Sequence, residues 1–119
     1  MSKGISFTGL DVHKKSISVA LLKPRARKPV EWQQSNDARS VKRLIRKLKR
    51  EGGKSIRCCY EAGPCGFGLQ RTLQSSGIEC QVIAPALIPR KPGERIKTDR
   101  RDASKLAELF RGGLLTVSV

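Results

Sequence analysis

Two β-type runs, Ile5 to Leu10 (I-S-F-T-G-L) and Ser16 to Leu22 (S-I-S-V-A-L-L), are separated only by D-V-H-K-K, residues 11–15. A connection this short has no room for a crossover, so the chain must open as an antiparallel hairpin. P-R-A-R-K-P, residues 24–29, is a turn with proline at each end. P-V-E-W-Q-Q-S then reads as a third, weaker strand at the sheet edge.

The pattern changes after Ser35. Val41, Leu44, Ile45 and Leu48 recur at helical spacing, Asn36 or Asp37 can cap the start, and Gly52 or Gly53 ends the run. S-I-R-C-C-Y-E-A-G predicts a fourth strand ending at Glu61. F-G-L-Q-R-T-L-Q-S-S-G predicts a second helix with Phe67, Leu69 and Leu73 inward and Gly77 as its stop. I-E-C-Q-V-I-A-P predicts a fifth strand. Alternating helix and strand imply right-handed parallel crossovers. P-A-L-I-P-R-K-P-G-E-R-I-K-T reads as a long loop, and a last helix is expected from Thr98, as N-cap, to Gly112, with Ala103, Leu106, Ala107 and Phe110 inward. The expected order is βββαβαβα, a mixed α/β sheet flanked by helices in a single domain of 119 residues.

Charge narrows the function. Lysine and arginine total 25 against 10 acids, a formal net charge of +15. Self-repulsion of that size favours a polyanionic partner, and nucleic acid is the expected one. The first helix carries Arg39, Lys42, Arg43, Arg46, Lys47, Lys49 and Arg50 on its outer face with almost no acid among them. A solvated face would normally mix signs, which keeps nucleic-acid contact open there. No apolar run approaches the roughly 20 residues of a membrane span, and the N-terminus lacks a signal-peptide layout. Cys58, Cys59, Cys65 and Cys80 form no C-x-x-C pair, and His13 is the only histidine. This is poor zinc-site spacing and fits reduced thiols in a cytoplasmic protein.

Four acids stand apart by position. Asp11 closes the first strand, Glu61 closes the fourth, and Asp99 and Asp102 are three residues apart at the start of the expected last helix. Carboxyl ends of neighbouring crossover-connected strands share one edge, where ligands of α/β sheets bind. Converging carboxylates resist full ionisation unless a cation joins them. An all-oxygen set suits Mg²⁺ or Mn²⁺, and four carboxylates can hold two ions about 4 Å apart. Each acid alone also has a structural role open to it. Asp11 is a turn residue, Glu61 a partner for Arg57 or Lys54, Asp99 a helix N-terminal acid, and Asp102 a partner of Lys105.

G-L-D-V-H-K-K-S-I-S-V-A-L, Y-E-A-G-P-C-G and I-K-T-D-R-R-D-A-S-K-L-A resemble the N-terminal domain of the DEDD insertion-sequence transposases. That group includes Piv/MooV-type DNA invertases and bridge-RNA-guided recombinases. The resemblance spans roughly Ile5 to Gly112, and K-T-D-x-x-D-A is its most specific part. It implies a ribonuclease H-like fold similar to RuvC resolvases. It also implies that Asp11, Glu61, Asp99 and Asp102 are the catalytic metal-binding set, with Asp11 central. Expected partners are DNA, a guide RNA and, in the full-length protein, further copies of the chain.

Lys14, Lys15, Arg90, Lys91, Arg95, Lys97, Arg100 and Arg101 are the expected phosphate contacts, positioning backbone without reading sequence. His13 is expected to be an exposed turn residue. Family members continue into a second domain with a nucleophilic serine, whose motif Ser16, Ser18, Ser104 and Ser118 do not match. The 119 residues correspond to the first domain only and are not expected to exchange strands alone. A junction-resolvase-like nuclease would keep the same four acids. A non-catalytic basic RNA-binding protein would explain the charge but not the acids. An actin-like ATPase is disfavoured by His13 at the position where close approach to phosphate wants glycine.

Overall fold

In the computed structural model, residues 4–63, 66–88, 97–99 and 101–117 are described. β1 (Ser6–Val12) and β2 (Ser16–Leu22) form the expected hairpin, closed by the His13 amide donating to the Ser16 carbonyl at 2.8 Å. β3 (Val30–Ser35) pairs antiparallel with β2 at the sheet edge. Then come α1 (Ala38–Gly52), β4 (Ile56–Glu61), α2 (Gly68–Ser75) and β5 (Glu79–Ile83). β4 runs parallel to β1, and β5 runs parallel to β4. The five-stranded order is β3-β2-β1-β4-β5. Three antiparallel strands continued by two parallel crossovers are the ribonuclease H-like arrangement that the resemblance implies.

The segment after β5 differs from expectation. The expected loop contains β6 (Ala86–Ile88) and β7 (Lys97–Asp99), paired antiparallel with Ala86 opposite Asp99. Three residues are too few for alternation to register against a proline-rich and basic background. α3 (Ala103–Arg111) therefore begins after Asp102 and not after Thr98. Asp102 is extended, with φ −77° and ψ 173°. Its Oδ1 accepts the Lys105 amide at 2.7 Å, the hydrogen bond that defines a good N-cap. Asp99 and Asp102 consequently do not share a helix. Asp99 ends a strand, and Asp102 starts the helix.

Strand alternation sorts the core into two layers. Leu10, Val19, Leu21, Cys58, Tyr60 and Val82 face α1 and α2, where Leu44, Leu48 and Leu73 are fully buried. On the other face, Ala20, Leu22, Cys59 and Ile83 meet Ala103, Leu106 and Ala107 of α3. Phe7 meets Phe110 edge-on at 5.3 Å between ring centroids. Cys58 and Cys59 thus lie in opposite layers, as adjacent strand residues must. Burial pushes the thiols of Cys58, Cys59 and Cys80 up, that of Cys80 to about 12. At neutral pH they are protonated, unreactive core groups. Cys65 lies outside the described residues.

α1 is capped by Asp37, whose Oδ1 accepts the Ser40 amide at 2.8 Å. That hydrogen bond lowers the Asp37 carboxyl below its ordinary range. α2 has no cap from its own N-cap residue, and Phe67, expected inward, is 40% exposed there. The capping comes from β4. The buried Tyr60 hydroxyl accepts the Gln70 amide at 3.2 Å and donates to the Gly66 carbonyl at 2.9 Å. Tyr60→Phe removes both bonds at once and takes their partner from two partly buried backbone groups. The expected cost is about 2 kcal/mol, read as a lower urea midpoint with an unchanged m-value. An unchanged midpoint would show that the hydroxyl holds nothing.

Candidate active site

Asp11 and Glu61 are brought together by register. Leu10 of β1 pairs with Tyr60 of β4. One residue further on, both acids reach the carboxyl ends of parallel neighbours, with the same alternation parity as Gly9 and Cys59. That parity turns them to the α3 side of the sheet. The last helix comes to them because Gly9 lets it. A Cβ at Gly9 would overlap the Ala103 carbonyl oxygen and lie 2.7 Å from the Ala107 amide nitrogen. Ala103 and Ala107 supply the small residues on the helix side. The close seat of α3 on β1 sets its N-cap, Asp102, beside Asp11. The two carboxylates line one cavity of about 350 Å³ with Ser18, Glu31 and Ser104.

The signal for this seat was present in the sequence, since an isolated glycine inside a strand marks close backbone approach. Glu31, which reads as a solvent-facing strand residue, gains its place only because β3 folds back beside β2.

Asp11 is 19% exposed, and its Oδ2 lies 3.2 Å from His13 Nε2. His13 is the exposed turn residue expected, at 46% exposure, yet it also touches the Asp11 carboxylate. The His13 carbonyl accepts the Asn36 side-chain amide at 2.7 Å, which fixes the turn against the start of α1. Lys14 and Lys15 are exposed in the same turn, next to Asp11 in the chain.

Glu61 is not partnered by Arg57 or Lys54. Arg57 pairs with Glu79 at 3.2 Å. Glu61 is held by Arg101. Its Oε1 accepts the Arg101 backbone amide at 3.1 Å, and its Oε2 accepts Nη2 at 2.9 Å and Nε at 3.1 Å. Arg101 Nη2 also donates to the Ala84 carbonyl at 3.0 Å. The pair is largely buried, at 11% and 14% exposure. Arg101, expected to meet phosphate, is therefore turned inward to a carboxylate. Burial next to β5 favours the planar, bidentate fork over solvent. Sequence reading missed this pair because the partners are 40 positions apart.

Among the described residues, no group of three or more histidine, cysteine, aspartate or glutamate side chains is gathered closely enough to hold a metal ion. Asp11 and Asp102 share their cavity, whereas Glu61 is engaged by Arg101. Asp99 and Lys97 are placed by the β6–β7 register alone. Arg90, Lys91, Arg95, Arg100 and Ser118 lie outside the described residues. An all-oxygen pair facing a shared cavity has the donor chemistry of a hard divalent cation. Also among the described residues, no helix is long and apolar enough to cross a membrane.

Comparison with known proteins agrees with the sequence motifs. A family model for IS110-type DEDD transposases, described as "Transposase", matches residues 8–118. The transposase for insertion sequence element IS1533 of Leptospira borgpetersenii is 44% identical over 106 residues, 88% of this chain and 30% of that protein. The y4qE protein of Sinorhizobium fredii (strain NBRC 101917 / NGR234), whose name also carries the word transposase, is 43% identical over 117 residues. That alignment covers 93% of this chain and 29% of the relative. The chain thus spans about 30% of the length of these relatives. Among solved structures, an exopolyphosphatase from Cytophaga hutchinsonii superposes with a TM-score of 0.46 at 10% identity, covering 70% of this chain and 35% of that one. The chain belongs to the IS110-type DEDD transposase family.

Proposed function

We propose that this chain is the metal-binding part of a DNA transposase that cleaves and transfers phosphodiester strands. The observation that carries this reading is the shared cavity of Asp11 and Asp102, built by two segments 91 positions apart in sequence (102 minus 11). Asp11, Glu61, Asp99 and Asp102 would hold Mg²⁺ or Mn²⁺, with Asp11 central. When bound, a pair of such ions supplies charge stabilisation to the attacking and leaving oxygens of an in-line displacement.

The chain's own residues do the positioning. Gly9 seats α3, Asp102 caps it while facing the cavity, and His13 steadies the Asp11 carboxylate. Lys14 and Lys15 stand where a phosphate backbone entering the cavity would pass. By their place in the sequence, Arg90, Lys91, Arg95, Lys97 and Arg100 are assigned the same kind of contact, whereas Arg101 serves Glu61. Such contacts are blind to sequence, so target choice falls to a base-pairing guide RNA. Strand exchange needs the serine-bearing domain of longer family members, and several copies of the protein assemble around the DNA in the cytoplasm.

Manganese titration of the 119-residue chain, followed by electron paramagnetic resonance, tests the site without needing turnover. Asp11→Asn and Asp102→Asn are each expected to weaken Mn²⁺ binding at least tenfold, roughly 1.4 kcal/mol or more. Unchanged binding in both variants would remove the metal site and favour a non-catalytic nucleic-acid-binding role.

A further inference from the structure

The Asp11–Asp102 cavity and the most basic helix of the chain lie on opposite faces of the sheet. α3 and the cavity occupy one side, and Leu44 and Leu48 anchor α1 to the other. Arg39, Arg43, Arg46 and Arg50 fall at i, i+4, i+7 and i+11 of α1, so they form one stripe along its outer face. At 1.5 Å per residue the stripe runs about 16 Å. Lys42 and Lys49 flank it, and all six of these residues are exposed. The helix has a single acid, Glu51, which is engaged by Lys23 at 3.5 Å and Arg50 at 3.6 Å. Among the described residues, no acid pairs with Arg39, Lys42, Arg46 or Lys49. Like charges at i, i+4 work against the helix that carries them. A face that only had to stay in water would mix signs.

We infer that the outer face of α1 is a second nucleic-acid surface, which binds the backbone of a DNA duplex separate from the strand at the carboxylates. A duplex presents about one phosphate charge per 1.7 Å of its axis, so roughly ten lie along a 16 Å stripe. That is a dense enough target for four arginines in a row. The exposed residues of α1 include no Asn or Gln to read adenine edges, so contact is to backbone. A single strand is held by stacking on aromatic rings, and this face offers none. The neighbouring Trp32 is capped by Lys47, whose Nζ sits 4.3 Å from the ring centroid. The choice of DNA over RNA rests on the proposed transposase reading. The location of the surface rests on charge and geometry alone.

Fluorescence anisotropy with a labelled DNA duplex of arbitrary sequence, about two helical turns long, tests this across a range of NaCl concentrations from roughly 50 to 200 mM. The variant carries Arg39→Gln, Arg43→Gln, Arg46→Gln and Arg50→Gln together. Its log–log salt slope is expected to flatten by about 3 to 4, close to one for each phosphate no longer neutralised. Its affinity near 0.1 M salt is expected to fall roughly a hundredfold, as the removal of four charges facing phosphate would give. Lys42→Gln with Lys49→Gln is the second variant, expected to flatten the slope by about 2, and it carries the test should the fourfold variant not fold. An unchanged slope in the arginine variant, or an equal loss for single-stranded poly-dT, overturns the surface. Tighter binding of an RNA duplex than of the DNA duplex by the parent chain overturns its assignment to DNA.

Discussion

Gly9→Ala is expected to destabilise the chain by about 3 kcal/mol, the upper end for overpacking, and to lower its melting temperature by roughly 10 °C. The reason is what the new methyl would meet. It would overlap the Ala103 carbonyl oxygen and press on the Ala107 amide nitrogen, both backbone atoms of α3. A flexible side chain can swing aside from such a contact, but a helix backbone can only move as a body. α3 must lift from β1, and the seats of Leu106 and Phe110 lift with it. Asp102 moves too, because it is the N-cap of that helix. Mn²⁺ affinity should therefore fall in Gly9→Ala even though Gly9 carries no ligand atom. Gly68→Ala is the matched control. Nothing lies within 4 Å of a Cβ there, and the residue sits in the first turn of α2. That change should be neutral or slightly stabilising through helix propensity. Equal melting temperatures for Gly9→Ala and the parent would mean that α3 does not seat on Gly9.

Most of this architecture was readable because the signals were local and periodic. The five residues between the first two runs forced a hairpin, and Val41, Leu44, Ile45 and Leu48 marked α1 unambiguously. The places of Asp11 and Glu61 at the ends of β1 and β4 followed from the strand patterns. The misreadings share a different physical character. β6 and β7 are three residues each, shorter than any period that could distinguish strand from loop. Thr98 and Asp102 are both good capping residues, and only the β7 pairing decides that the helix waits for the second. Phe67 reads as core by composition, but it precedes the first turn of α2, where Tyr60 does the capping. Arg101 reads as a phosphate contact because its sequence neighbours are basic. Its actual partner is set by tertiary placement, which no local pattern encodes.

Arg101→Ala should cost about 3 kcal/mol, because it leaves the Glu61 carboxylate buried without its cation. Among the described residues, Glu61 would keep only the backbone amide of residue 101 as a donor to Oε1, and Oε2 would lose both guanidinium bonds. The double variant Glu61→Gln with Arg101→Ala removes the unpaired charge as well and should recover more than half of that loss. Urea unfolding of the parent, both single variants and the double variant gives the coupling directly. The same pair also probes the metal proposal. Arg101 supplies the positive charge that Glu61 faces in this structure, so a divalent cation ligated by Glu61 must compete with it for Oε2. In Arg101→Ala that competition is gone, and Mn²⁺ should stabilise the variant more than it stabilises the parent, through binding to the folded state only. The extra stabilisation should vanish in the double variant, where position 61 is no longer a carboxylate. A thermal shift with Mn²⁺ that is the same in all four proteins would remove Glu61 from the ligand set and leave it a structural partner of Arg101. A shift confined to the chains that keep Glu61, and largest without Arg101, would make the ion pair a stand-in for the metal at the carboxyl end of β4.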